Sequence, residues 1–145
     1  MATFSKQFLS SSINSSYNGL PIELKTSGTY PFADAYGTGI HTPSSGTTEL
    51  EEIWLYGSNT NSSEKVVVLQ MGNTGSQYEV VQSLAGRSGL TLLVPGIVIG
   101  KIDSLSGVTF PAAGCQVAGY VGGTGDAATS GVTIIGYVNR ISGSV

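Results

Sequence analysis

A chain of 145 residues is the size of one domain, and at that length folding hides roughly 68–70% of the unfolded chain's surface, enough for a core without disulfides or metals. Charged residues make up only 10% of the sequence, the net charge is −3 at pH 7, and the six Lys and Arg are scattered, so no basic stripe exists for a nucleic-acid backbone. A single cysteine, Cys115, excludes an internal disulfide and a thiol framework for zinc, and reads as a small buried apolar side chain.

The polar content is instead hydroxyl and glycine. Ser 20, Thr 14 and Gly 21 make up well over a third of the chain, a composition that suits strands and tight turns and disfavours helices. Residues 1–19 carry Phe4, Phe8, Leu9 and Ile13 singly among Ser and Asn, which predicts an irregular arm ahead of a β-domain over 20–145. The opening "MATFSKQFLSSS" has no apolar stretch of the length a secretory signal uses, which points to synthesis in a cytoplasm and makes the sequons at Asn14 and Asn61 chance occurrences.

Beyond the arm come eight strand-like runs: "LPIELK" (20–25), "ELEEIWLY" (49–56), "KVVVLQM" (65–71), "YEVVQS" (78–83), "LTLLV" (90–94), "IVIGKI" (97–102), "QVAGYV" (116–121) and "GVTIIGYVNRI" (131–141). Regularly spaced strands with turn signals and no 3.6-residue amphipathic segment predict a single-domain all-β sandwich or barrel. Residues 26–48 form a long Gly/Ser/Thr-rich excursion, either a loop with a role or a short extra strand near "GIHT" (39–42). The most apolar stretch, "LTLLVPGIVIG" (90–100), is far shorter than the roughly 20 residues of a membrane-spanning helix. Its Pro95-Gly96 pair predicts a type II turn, or a sharp bend, between two short strands.

Facing is more informative than count. A sheet with one wet face alternates apolar and polar residues, yet "VTIIGYV" sets Val132, Ile134 and Val138 against Ile135 and Tyr137, and "EEIWLY" sets Ile53 and Leu55 against Trp54 and Tyr56. With both faces apolar and few charges to guard the edges, the second face is expected to meet another subunit.

No constellation reaches an enzyme. Glu49, Glu51 and Glu52 form the one acidic cluster; on a strand Glu49 and Glu51 share a face, and solvated charge at a strand start is the expected role. His41 is the sole histidine, which excludes a His-rich metal site and predicts a hydrogen-bonded structural or interface histidine. Gly123-Thr-Gly125-Asp-Ala-Ala128 matches GxGxxA, but the residues after it lead into another strand rather than a helix, so no dinucleotide site is expected. No cofactor is expected.

The segments "GIHTPSSGTTELEEIWLYGSNTNSSEKVVVLQMG" (39–72), "LTLLVPGIVIG" (90–100) and "GVTIIGYVNRI" (131–141), in that order, resemble the small jelly-roll virion proteins of tailed bacteriophages, the capsid decoration or cement type. The resemblance implies an oligomer, often a homotrimer, made in the host cytoplasm and seated on the outer head surface where major capsid proteins meet, with no catalytic residues. Candidate docking residues are Phe4, Phe8 and Leu9 of the arm, whose isolated apolar side chains gain order by burying against a partner, with His41, Trp54, Tyr56, Ile135 and Tyr137. The alternative is a tail, fibre or lectin-like module that stacks sugars on Trp54, Tyr56, Tyr30 or Tyr36.

Overall fold

The computed structural model describes residues 1–10, 19–27, 38–43, 49–73, 76–99, 116–123 and 129–143, and the following concerns these alone. Ten strands are present among them: β1 (Thr3–Phe8), β2 (Ile22–Glu23), β3 (Thr26–Ser27), β4 (Thr38–His41), β5 (Glu49–Asn59), β6 (Lys65–Asn73), β7 (Ser76–Leu84), β8 (Ser88–Val98), β9 (Gln116–Gly122) and β10 (Val132–Ser142). One sheet, A, runs β1-β10-β5-β8 with β2 also on β10; the other, B, runs β3-β9-β6-β7 with β4 also on β9. Apart from the short β3·β9 contact, every pairing is antiparallel.

The topology is that of a jelly roll. The chain doubles back between β6 and β7, and from there outward β6 pairs β7, β5 pairs β8, β4 pairs β9 and β1 pairs β10. That single antiparallel ribbon is wrapped so that alternate pairs fall in opposite sheets, and the contacts between pairs, β10 with β5 and β6 with β9, complete each sheet.

The core lies between the sheets. Ile53 and Leu55 of β5, Val132, Ile134 and Val138 of β10, and Leu93 and Val94 of β8 meet Val67, Leu69 and Met71 of β6, Val117 and Val121 of β9, and Ile40 of β4. Each such side chain, taken fully from water, contributes about 1.5–3 kcal/mol, and the branched aliphatics suit the pleat. The alternation read from "VTIIGYV" and "EEIWLY" holds: Ile53, Leu55, Val132, Ile134 and Val138 face inward, while Trp54, Tyr56, Ile135 and Tyr137 face outward.

Two elements differ from expectation. Residues 3–8, expected as part of an irregular arm, form β1, paired along its whole length with β10 from Thr3↔Ser142 to Phe8↔Tyr137. Its alternating Phe4, Lys6 and Phe8 sit between Ser5 and Gln7, and the ladder needs backbone groups rather than apolar side chains. Pro95-Gly96 does not divide two strands. β8 runs through it, and the register passes from Ile53↔Ile97 to Trp54↔Pro95, leaving Gly96 as an extra residue at φ +73°. This is a β-bulge with glycine in the left-handed region, and its proline is tolerated because β8 is an edge strand.

Candidate functional site

Two groupings of side chains stand out, one inside the sandwich and one on its surface. The inner one joins β4, β5 and β10. Glu51 is fully buried; its Oε2 accepts from His41 Nε2–H at 2.7 Å, and its Oε1 accepts from Arg140 Nε and Nη2 at 3.0 and 2.7 Å. His41 Nδ1 in turn accepts the backbone N–H of Ser10 at 3.1 Å, and the Thr42 N–H donates to the Ser10 carbonyl. His41 therefore fastens the end of the β1 segment, where Leu9 enters the core, to the buried carboxylate.

Burial pushes the Glu51 carboxyl up, but the hydrogen bonds from His41 and Arg140 and the charge of the Arg140 guanidinium outweigh it and hold its pKa below 4.5. The solvated role expected for this glutamate is overturned, because Glu51 faces inward on a strand whose outward neighbour is Glu52. His41 is the structural alternative of its two expected roles, being 2% exposed with both ring nitrogens engaged. Leu9, expected in a docking surface, is a core residue. Nothing in the sequence marked Arg140 as the partner of Glu51; the signal available was an inward-facing glutamate and a lone cation on neighbouring long strands.

The second grouping is the outer face of sheet A. Cross-strand pairing sets Phe8, Tyr137, Trp54 and Pro95 in one row, and Phe4 beside Ile141 and Leu50 at one end. Towards the other end lie Ile135, Tyr56, Leu92 and Leu90. Trp54 and Tyr137 stack with ring centroids 6.3 Å apart and planes 12° from parallel. The Lys6 ammonium lies 4.2 Å from the centre of the Tyr137 ring, and Trp54 Nε1–H donates to Glu52. Glycines hold these rings: a Cβ on Gly96 would come 2.9 Å from the Trp54 indole, and one on Gly19 would come 2.7 Å from the Phe8 ring.

This face is not covered. Phe4 is 74% and Phe8 72% exposed, and Leu90, Leu92, Val98 and Ile135 are exposed as well. Between Phe8, Pro21, Tyr56, Ile135 and Tyr137 it dips into an open groove of about 640 Å³. The chain matches no family model, no curated protein and no solved structure.

Of the residues singled out in the sequence, Phe4, Phe8, Trp54, Tyr56, Ile135 and Tyr137 thus share one surface. Tyr30, Tyr36, Cys115, Asn14 and residues 124–128 of the GxGxxA segment lie outside the described residues. Asn61 is a structural residue: its Nδ2 donates to Asn59 Oδ1 and to the Ser130 carbonyl. Among the described residues there is no group of three or more His, Cys, Asp or Glu able to hold a metal, and no helix long and apolar enough to cross a membrane.

Proposed function

We propose that this chain is a structural virion protein of the capsid-decoration type, which binds the outer head surface as an oligomer and stabilises the shell through buried area rather than chemistry. The observation that carries the reading is the uncovered apolar face of sheet A, where Phe4, Phe8, Ile135, Leu90, Leu92 and Val98 surround the Trp54–Tyr137 stack. Contiguous apolar patches of this extent are rare on chains that act alone and mark protein–protein contact. The jelly roll supports the reading without specifying it, since the fold recurs in viral capsid domains and in lectins.

Partners on this reading are other copies of the chain and a major capsid protein; nucleic acid and membrane are not. Mass spectrometry and imaging of virions purified from a culture producing the chain test it. The chain is expected in stoichiometric amount on the head, and its absence from particles removes the reading.

The groove favours one other reading, a tail, fibre or lectin-like module that holds a glycan against Phe8, Tyr56 and Tyr137. Titrating the single tryptophan's fluorescence with host-surface glycans separates the two, because a decoration protein gives no saturable response.

A further inference from the structure

Among the described residues the outer face of sheet A carries Lys6 and Glu52 amid its apolar side chains, with Glu23 of β2 further along beside Thr133, and the placement of the first two bears on what covers the face. Lys6 of β1 pairs in register with Asn139 of β10, and Asn139 with Glu52 of β5, so the two charges share one row with β10 between them. Two strand spacings separate them by about 10 Å. Neither has an ion-pair partner among the described residues: the ammonium lies over Tyr137, and the Glu52 carboxylate accepts only the Trp54 indole N–H.

Opposite charges placed evenly on either side of β10 become complementary when a second copy is turned half-way round about that strand. Resting on the reading of this face as a protein-docking surface, we propose that its occupant is a second copy of the chain, packed face to face about a two-fold axis that lies in the interface and runs along β10. Rotation about that axis sets each Lys6 against the other copy's Glu52, and each Phe8 against the other copy's Trp54. The Phe8 ring, standing up as one wall of the groove, then enters the opposing groove beside Tyr56. Each Asn139 meets its counterpart near the axis, where two amides can hydrogen-bond to one another.

About this axis β1, β10 and β5 face their counterparts and β8 lies beyond the overlap, so three strands about 4.8 Å apart over about 30 Å of strand give a flat footprint of roughly 430 Å², below the roughly 800 Å² per partner of a standard interface and suited to a weak, concentration-dependent dimer. A three-fold ring, as the resemblance to decoration proteins implies, joins two unlike patches. Among the described residues the outer face of sheet B supplies little for a second one: Val66 and Val81 are exposed, but Val68, Gln70, Ala118 and Tyr120 are already buried within the chain. An isologous pair uses the sheet A face alone.

Sedimentation velocity of the full-length chain over a range of concentrations tests the proposal with Lys6→Glu, Glu52→Lys and the double exchange. Far-UV circular dichroism and thermal melts identify any variant that fails to fold. The unaltered chain is expected to form a dimer. Each single reversal sets like charges against each other and is expected to weaken dimerisation about 10-fold or more, while the double exchange restores the pairing to within about 3-fold. A chain that is monomeric or trimeric throughout, or folded variants in which the double exchange dissociates as readily as the singles, overturns the proposal. A monomer whose face is nevertheless covered on virions sinks the two-fold pairing and leaves the docking surface standing. A dimer absent from virions supports the pairing and removes the capsid reading.

Discussion

Replacing Glu51 by Gln tests how the buried cluster holds the sandwich together. The carboxylate offers two acceptor oxygens, one to His41 Nε2–H and the other to Arg140, whereas an amide offers one oxygen and two N–H donors. Whichever way the Gln amide turns, its NH₂ points at a donor. His41 cannot relieve this by moving its proton to Nδ1, because Nδ1 already accepts the Ser10 N–H. Breaking a buried pair by removing one partner costs about 3–5 kcal/mol, and the lower figure applies here because the Arg140 side chain is 30% exposed and can rehydrate.

At about 2–4 °C per kcal/mol for a chain of this size, Glu51→Gln is expected to melt roughly 6–12 °C below the unaltered protein at pH 7. The pH dependence has a definite sign. A carboxyl whose folded-state pKa is held below 4.5 contributes stability that is present above 4.5 and is lost as pH falls through the folded value. The gap between the two proteins, followed by calorimetry, should therefore be widest near neutrality and shrink towards pH 3. A variant melting within 1 °C of the unaltered chain at pH 7, or a gap that stays constant down to pH 3, shows that the Glu51 carboxylate does not hold β4, β5 and β10 together.

Three other substitutions probe different parts of the structure. Gly96→Ala forces a Cβ onto a residue at φ +73° and into the Trp54 ring, so it is expected to cost about 1–2 kcal/mol and to change the emission of the sole tryptophan; an unaltered melt and spectrum contradict the bulge. Asn59 is fully buried, and its Nδ2 donates to the carbonyls of Ser63, Leu84 and Ala85 while its Oδ1 accepts from Asn61. Asn59→Ala should lower stability in urea titration by about 2–3 kcal/mol, and a loss under 0.5 kcal/mol shows that this end of the sandwich holds without it. Tyr137→Asp puts a charge at the centre of the sheet A face and is expected to abolish self-association while leaving the fold intact; a variant that associates as before removes Tyr137 from the interface.

Much of this architecture is legible in the residues. The period-two pattern of "EEIWLY" and "VTIIGYV" assigns inward and outward faces correctly, because a strand's side chains have nowhere else to point. β1 is harder to read. Its pattern "TFSKQF" alternates, but with apolar side chains on the outer, exposed face, so it lacks the inward apolar stripe by which strands are recognised. The bulge at Gly96 was half legible: Pro-Gly announces a positive φ, but whether the chain turns or bulges depends on its partner strand, and the register of β5 decides that. The buried role of Glu51 is hidden from the sequence for a similar reason. A glutamate at a strand start is solvated unless cations arrive from elsewhere in the chain, and Arg140 lies 89 residues away.

Hydroxyl-radical footprinting of the dilute free chain against the same chain on purified particles shows whether protein covers the outer face of sheet A in the working state. Strong protection of Phe4, Phe8, Trp54 and Tyr137 is expected on the particles, with Val81 of the opposite sheet labelled to the same degree in both samples. Equal oxidation of Phe4, Phe8, Trp54 and Tyr137 in the two states shows that the face stays uncovered.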